Sequence, residues 1–264
     1  DFEHHLPLDA LNKSKEFMGG DGIAPKIVKA IVLALVIVVI VEGIKKAVKG
    51  YNKYAGGSPW ILKGTKDAKK RMLILQDPSK EGSKTLHRSE NEYGGLEFSY
   101  AMWMYIEDWS YKFGQWKHVL HKGNESSWPL RCPGIWLHPK ENALRVYVNT
   151  FRNIGEYADV KNLPLNKWFH VAVAVRQRNL DVYINGNLAK RHTLEGIPKQ
   201  NSSDIYINSF RGFGGYLSNI RYHDYYLSFS ELDSHLQRGP SNMPCIDSQE
   251  VPPYFTPNWW SNKE

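Results

Sequence analysis

Two neighbouring segments near the middle of the chain carry the hydrophobic pattern of paired β-strands. Trp168 to Arg176 is a nearly continuous run of β-branched and aromatic residues, and Leu180 to Asn185 alternates apolar with polar positions. Gln177 to Asn179 form a short polar turn between them. Asn185-Gly186, a pair that readily adopts positive φ, precedes a third stretch, Leu188 to His192. The pattern predicts three consecutive antiparallel strands.

Short strands separated by turns are predicted from Arg71 onwards. The other predicted strands are Met72–Leu75, Leu96–Ile106, Lys117–His121, Gly134–His138, Ala143–Asn149, Asp204–Asn208 and Gly215–Tyr222. One helix is predicted in this part, Phe229–Arg238, with Ser228 or Ser230 as its cap and Gly239-Pro240 as its end. Many short strands with almost no helix predict an all-β sandwich over residues 71–240.

A different pattern precedes the predicted sandwich. Residues 1–22 are polar and are expected to form an arm, whereas Ile23 to Ile44 contain an uninterrupted apolar run from Ala30 to Val41. As an α-helix, residues 23–44 would extend about 33 Å, enough to cross a bilayer. We predict a single transmembrane helix, with a buried strand or a buried core helix as alternatives. The predicted membrane-anchor residues are Ile31, Leu33, Leu35, Ile37, Val39 and Ile40.

The net charge of +7 is concentrated in one segment. Residues 45–71 contain nine Lys and Arg residues against Asp67 alone, a local charge of +8, so the remainder of the chain sums to −1. The predicted sandwich is therefore nearly neutral, and nucleic acid is not an expected partner. Residues 45–70 are predicted to be a basic juxtamembrane linker, or alternatively a flexible linker in solution. The lysines expected to contact lipid headgroups are Lys45, Lys46, Lys49 and Lys53.

The distribution of lysines gives a weak indication of orientation. The longer basic run follows the apolar segment, which slightly favours a C-terminal domain on the cytoplasmic side of the membrane.

The chain has two cysteines, Cys132 and Cys245, each next to a proline. A disulfide between them and two free thiols in a reducing compartment are equally compatible with the sequence. No cysteine or histidine spacing indicates zinc.

Residues 241–264 are rich in proline and tryptophan. They show neither a helix nor a strand pattern, and are expected to be strapped across their own domain or to dock on a neighbouring protein. The predicted partner-binding residues are Tyr254, Phe255, Trp259 and Trp260.

Several segments together resemble a known family. The run from Trp168 to Val175, the sequence Leu180 to Gly186 and the closing segment Gly215 to Leu232 are similar to signatures of laminin-G-like domains in the concanavalin A-like lectin and glucanase superfamily. Phe98 to Met104 and Val119 to Gly123 resemble two further strands of that family. The resemblance implies a jelly-roll sandwich of two curved antiparallel sheets.

Enzymatic members of this superfamily carry an E-x-D-x-(x)-E strand. Glu231-Leu232-Asp233 lacks the second glutamate and falls in a predicted helix, and Glu90-Asn91-Glu92 lacks the aspartate. The paired carboxylates of a retaining glycosidase are therefore not expected. We predict a non-enzymatic protein without a required cofactor.

Two binding functions are compatible with the resemblance. Trp136, Tyr147 and Tyr206 are candidates for stacking on sugar rings, although alternate strand residues of a sandwich are more often core. Many laminin-G-like domains hold calcium, for which Asp159 and Asp204 are weak candidates here.

Two overall functions remain. The first is a membrane-anchored structural protein resembling minor capsid or virion-membrane proteins of large nucleo-cytoplasmic DNA viruses, placed between an inner membrane and the capsid shell and binding other virion proteins. The second is a cell-surface carbohydrate-binding or adhesion module. Two glycosylation sequons, at Asn124 and Asn201, discriminate between them, because they are modified only in the secretory lumen.

Overall fold

The computed structural model describes residues 22–56, 58–89 and 96–245. The chain divides into two compact units, residues 1–54 and 55–264. The described part of the first unit is a helix, and that of the second is a β-sandwich. The predicted N-terminal arm and the tail residues Tyr254, Phe255, Trp259 and Trp260 lie outside the described residues.

Helix α1 (Ile23–Gly56) is 34 residues long, and all but its last two residues belong to the first unit. Residues Pro25–Lys45 are long and apolar enough to cross a membrane, although a signal sequence satisfies the same test. The six predicted anchor side chains are all exposed on this helix. Their role as a membrane anchor stays a prediction.

The predicted linker over residues 45–70 is wrong in its extent. Helix α1 continues to Gly56, and the first strand already begins at Trp60. Lysine and alanine favour helix, which explains the continuation past Ile44, and the paired glycines 56 and 57 favour its end. The first strand escaped prediction because Lys63, Gly64 and Lys66 interrupt its apolar positions.

The second unit is a sandwich of two six-stranded antiparallel sheets, which confirms the predicted fold class. The first sheet has the order β1-β12-β3-β8-β9-β10 and the second β2-β11-β4-β5-β6-β7. The strands of the first sheet are β1 (Trp60–Asp67), β3 (Glu97–Asp108), β8 (Trp168–Arg176), β9 (Asn179–Ile184), β10 (Asn187–Thr193) and β12 (Gly214–His223). Those of the second are β2 (Met72–Ile74), β4 (Lys117–Gly123), β5 (Arg131–Leu137), β6 (Ala143–Val148), β7 (Glu156–Lys161) and β11 (Ile205–Ile207).

The hydrophobic core lies between the two sheets and follows the strand alternation. In β3, alternate residues from Phe98 to Ile106 are buried, and in β6 the buried positions are Leu144, Val146 and Val148. All members of this core cluster come from the second unit, between Ile61 and Tyr222. Because the sandwich has a complete core of its own, we treat it as an independently folding domain.

The predicted hairpin and its continuation are confirmed. Strand β8 pairs with β9, and β9 pairs with β10, in antiparallel register. Gln177, Asn185 and Gly186 all adopt positive φ at the two turns. Asn185 also accepts a hydrogen bond from the backbone N–H of His170 through its side chain, which links the second turn to β8.

Helix α2 (Phe229–Arg238) has the predicted bounds and lies on the outer face of the first sheet. Ser228 caps it, and Glu231 completes a capping box. Leu227 and Leu232 pack with Ala101 and Ala172 of the sheet. The helix therefore closes one outer face of the sandwich.

Candidate functional site

The outer face of the second sheet brings the three predicted sugar-stacking residues together. Strand register aligns one row across the sheet, consisting of Leu73, Tyr206, His121, Gly134, Tyr147 and Tyr157. A parallel row consists of His118, Trp136, Arg145 and Asp159. The face is thus aromatic and cationic, with one carboxylate in its second row.

Neighbouring side chains cover the rings of Tyr206 and Trp136. The ring of Tyr206 stacks on His121 with centroids 4.8 Å apart and planes at 9°. The guanidinium of Arg71 lies 5.6 Å from the centroid of the Tyr206 ring. The ring of Trp136 stacks with Phe210 at 5.6 Å and 24°. These contacts occupy ring surfaces that a sugar would need.

His118 and His121 form a hydrogen-bonded relay beneath these rings. The backbone N–H of Ser209 donates to His118 Nδ1, so the proton of the neutral His118 ring is on Nε2. His118 Nε2 lies 2.6 Å from His121 Nδ1, and His121 Nε2 lies 2.9 Å from the Asn124 carbonyl oxygen. Each ring therefore donates once and accepts once. Burial lowers the pKa of His121 to about 4 and that of His118 well below its ordinary value, which keeps both rings neutral.

Arg131 lies between two aromatic rings at the end of β5. Its guanidinium carbon is 3.5 Å from the centroid of Tyr147 and 5.5 Å from that of Trp128. Its Nε is buried and has no hydrogen-bond partner among the described residues. Desolvation lowers the pKa of this guanidinium. A ligand that contacts the Tyr147 ring would therefore also lie next to the Arg131 guanidinium.

Arg145 and Asp159 form a bidentate ion pair on this face. Arg145 Nε and Nη2 each lie 2.7 Å from one carboxylate oxygen of Asp159, a bidentate geometry. The carboxylate raises the pKa of Arg145 further. The guanidinium carbon also lies 3.7 Å from the centroid of the Tyr157 ring.

Neither aspartate proposed for calcium stands in an open acidic loop. Asp159 is committed to Arg145, and Asp204 accepts a hydrogen bond from the backbone N–H of Gln76 at 2.8 Å. Within residues 22–56, 58–89 and 96–245, no group of three His, Cys, Asp or Glu residues could hold a metal ion.

Both sequon asparagines are built into the fold. The side-chain amide of Asn124 donates to Ser126 Oγ and to the Trp128 carbonyl, and its oxygen accepts from the Leu130 N–H. Asn201 is only 9% exposed, and its amide donates to the Lys122 carbonyl. Both amide nitrogens are engaged in hydrogen bonds within the folded domain, that of Asn201 at a buried position and that of Asn124 in a partly exposed loop.

Cys132 is a buried free thiol whose pKa is raised by burial to about 12. No disulfide joins it to Cys245, so the bridged alternative is not formed in this structure. Cys132 therefore behaves as a small core residue and not as a reactive thiol.

Glu231 and Asp233, which were compared with the hydrolase motif, form hydrogen bonds at the start of helix α2 and within it. Glu231 accepts hydrogen bonds from Tyr225 and from the Ser228 backbone, and Asp233 accepts from Gln237. Glu90-Asn91-Glu92 lies outside the described residues.

Of the predicted headgroup lysines, Lys45 forms an ion pair with Glu42 at 2.9 Å on α1. Lys46, Lys49 and Lys53 follow in the same helix. Their contact with lipid stays a prediction.

Sequence reasoning missed several residues of the second-sheet face, including His118, His121, Arg131, Arg145 and Tyr157. Arg145 and Tyr157 alternate with core residues in β6 and β7, so correct strand bounds would have indicated their orientation. His118, His121 and Arg131 lie beside register shifts in the β4–β5 pairing, where simple alternation fails. Their stacking contacts depend on register between distant strands, which a single sequence does not reveal.

Comparison with protein families decides the classification. Residues 80–233 match the model of the laminin-G-type family described as concanavalin A-like lectin/glucanases superfamily. The chain belongs to this superfamily. The matched segment includes β3 to β12 and the beginning of α2, so the family accounts for most of the sandwich. No match is found among curated proteins.

Several solved structures are similar to the chain. One is the binding domain of botulinum neurotoxin serotype G, 13% identical with a TM-score of 0.48, covering 66% of this chain and 46% of that one. Another is the binding domain of botulinum neurotoxin DC in complex with SialylT, 15% identical with a TM-score of 0.44, covering 54% of this chain and 35% of that one. The chain spans about a third to a half of the length of these structures.

Proposed function

We propose that the protein is a non-enzymatic, membrane-anchored structural protein whose sandwich binds other proteins on the cytoplasmic side of a membrane. The observation that carries this proposal is the exposed apolar helix Pro25–Lys45 on the same chain as a β-sandwich with a core of its own. Leaving a helix with so many exposed Ile, Leu and Val side chains in water is unfavourable by about 25 cal/mol per Å² of apolar surface. A bilayer removes that surface from water.

The two sequons support a cytoplasmic position of the sandwich. Because the amides of Asn124 and Asn201 are used in hydrogen bonds within the fold, a glycan on either would disrupt its loop. A domain with such asparagines suits a compartment without glycosylation. The buried free thiol of Cys132 and the basic run after Lys45 favour the same side.

The positions of the acidic side chains support a role without catalysis. Asp159 and Asp181 are each bound in bidentate fashion by an arginine, Arg145 and Arg191 respectively. Glu97 pairs with Arg176 at 2.9 Å. A glycosidase needs two carboxylates free to act as nucleophile and acid, and these side chains are already engaged.

Within this proposal, the protein is a minor component of a virion that connects an internal membrane to the capsid shell. The anchor would hold the protein in the membrane, and the Pro/Trp-rich tail would contact a neighbouring capsid protein. This role rests on the resemblance of the domain order to virion proteins of large nucleo-cytoplasmic DNA viruses.

Orientation is tested by translating the full chain in the presence of microsomes. An additional acceptor sequon placed between residues 251 and 264 reports the location of the C-terminal side independently of Asn124 and Asn201. We expect the chain to remain unglycosylated at all three positions. Glycosylation at the added sequon would place the sandwich in the lumen and overturn the cytoplasmic assignment. Co-sedimentation with assembled particles tests the virion role.

Carbohydrate binding is a second candidate function because of one observation. Trp128 is 52% exposed and stands beside Arg131, whose guanidinium lies on Tyr147. An exposed ring next to a cation is suited to an acidic sugar. A glycan array probed with the sandwich tests this alternative.

A further inference from the structure

The strand register places one set of loops at the end of the sandwich where β1 begins. Trp60 pairs with Arg221 near the end of β12, and the chain reaches Trp60 from α1 through residues 57–59. The loops at this end include those that join β4 to β5, β6 to β7, β8 to β9 and β10 to β11. We call it the Trp60 end.

Three of these loops expose large apolar side chains to solvent: the β4–β5 loop exposes Trp128, and the β6–β7 and β10–β11 loops expose three more. Phe151 and Ile154, between β6 and β7, are 72% and 45% exposed. Ile197, between β10 and β11, is 58% exposed, and all three side chains belong to loops and not to a sheet face. Such side chains at a loop tip are unfavourable in water unless another surface covers them.

The β6–β7 and β10–β11 loops are fixed to each other. The N–H of Phe151 donates to the Ile197 carbonyl at 3.1 Å, and the N–H of Lys199 donates to the Asn149 carbonyl at 2.7 Å. Buried Glu156 accepts hydrogen bonds from Thr150 Oγ1 and from the Glu195 N–H. A Cβ at Gly196 would lie 2.9 Å from Thr150 Oγ1, so the loops approach closely there. We call the side chains of Phe151, Ile154 and Ile197 the apolar tip. The hydrogen bonds between the two loops fix its position.

Cations surround the apolar tip. Arg152, Arg178 and Lys199 are exposed, and Lys199 Nζ lies 5.8 Å from the centroid of the Phe151 ring. Arg178 is held in place by a hydrogen bond from its Nε to the Leu194 carbonyl. Phe151, Arg152, Arg178 and Ile197 line a shallow pocket, and Glu195 is the acidic side chain exposed in it. Apolar side chains surrounded by an excess of cations match a bilayer that carries anionic headgroups.

We propose that the Trp60 end of the sandwich binds the surface of an anionic membrane, with Phe151, Ile154 and Ile197 inserted among the headgroups. Arg152, Arg178 and Lys199 bind the lipid phosphates around them. The proposal rests on the membrane anchoring proposed above, because the chain enters the sandwich from the anchor helix at this end. A bilayer is favoured over an acidic protein since the tether already confines the domain to a membrane.

The test measures co-sedimentation of the sandwich, residues 58–245, with vesicles. One set contains phosphatidylcholine alone, and the other equal parts of phosphatidylcholine and phosphatidylserine. We expect binding to the anionic set, weakened by added salt. The double variant Phe151→Ala/Ile197→Ala should lose it. Arg152→Gln and Lys199→Gln should each lower the partition coefficient on the order of fivefold.

The control uses exposed apolar residues at the opposite end. Phe113 lies between β3 and β4, and Leu165 between β7 and β8. Phe113→Ala/Leu165→Ala should bind as the unchanged sandwich does, and thermal unfolding checks that all variants are folded. Absence of binding to anionic vesicles, or equal losses in the two double variants, would overturn the proposal. Binding to polyglutamate without vesicle binding would overturn it in favour of an acidic protein.

Anchoring by α1 is measured separately, by carbonate extraction of the full chain. A full chain that resists extraction combined with a sandwich that ignores anionic vesicles would refute the headgroup contact alone. A full chain released by carbonate would refute the anchor.

Discussion

The Nε2 atoms of His223 and His235 lie 3.1 Å apart, so one imidazole donates to the other and protonation of both would break the bond. His170 stacks on His235 with ring centroids 5.7 Å apart and planes at 21°. The three rings lie between helix α2 and the outer face of the first sheet. Arg221, Arg238 and Glu231 are the charged groups that act on this cluster.

The histidine cluster predicts that the sandwich loses stability in acid. Burial lowers the pKa of His170 to about 3, of His223 to about 2 and of His235 to about 4. Below about pH 6.5 the unfolded chain binds protons that the folded chain does not, so stability falls as pH decreases towards these values. Each such histidine contributes a slope of about 1.4 kcal/mol per pH unit.

Urea unfolding of the sandwich at neutral pH and at about pH 5 checks this expectation. His235→Gln should reduce the pH dependence, because it removes one titrating ring while the other buried histidines still contribute theirs. A midpoint that does not move with pH in the unchanged sandwich would contradict the assignment of neutral buried histidines.

Two glycines with positive φ should respond differently to alanine. A Cβ at Gly212 would lie 1.8 Å from the Ala68 carbonyl oxygen, whereas a Cβ at Gly114 has no atom within 4 Å. We expect Gly212→Ala to destabilise the sandwich by about 3 kcal/mol, because positive φ and the steric clash both contribute. Gly114→Ala should cost about 1 kcal/mol, because only the positive φ is unfavourable for alanine there. Chemical denaturation measures both, and similar losses would show that the close approach at residue 212 is not as described.

We expect the side chain of Asn201 to stabilise the sandwich, and loss of the sequon alone to leave the free energy of unfolding nearly unchanged. Asn201→Ala leaves the Lys122 carbonyl and the Ser203 N–H without their partners, an expected loss of about 2 kcal/mol. Ser203→Ala destroys the same sequon but keeps the asparagine, and should change the unfolding free energy by less than about 0.5 kcal/mol. Equal effects would argue against the structural role of the amide.

The structural proposal predicts that the sandwich binds no glycan tightly, with or without calcium. Ring surfaces of Tyr206 and Trp136 are covered by His121, Arg71 and Phe210. A glycan array read at two calcium levels provides the measurement. Tight binding that disappears in Trp128→Ala and Tyr147→Ala would instead support the lectin alternative.

The sequence predicted what depends on local pattern. β8, β9 and β10 were predictable because apolar alternation and the Asn185-Gly186 turn act over a few residues, and α2 because Ser228 and Gly239 mark its ends. β7 was missed because Glu156, Tyr157 and Asp159 leave only Ala158 and Val160 as inward apolar positions. Two inward apolar positions were too few to predict β7 as a strand.

The contacts of the candidate site could not be predicted in the same way. Trp136, Tyr147 and Tyr206 were correctly placed in strands, but their neighbours come from distant segments. Tyr206 meets His121 because β11 pairs with β4, and this pairing joins residues that are far apart in sequence. The depressed pKa values of the histidines likewise follow from burial that only the assembled sandwich produces.

Carbonate extraction of membranes that contain the full chain tests the central claim most directly. The matched variant Leu33→Lys/Leu35→Lys/Ile37→Lys removes the apolar character of α1 and leaves the sandwich unchanged. The account predicts that the unchanged chain stays in the membrane pellet and that the variant is released. Release of the unchanged chain into the supernatant would contradict a membrane-anchored protein.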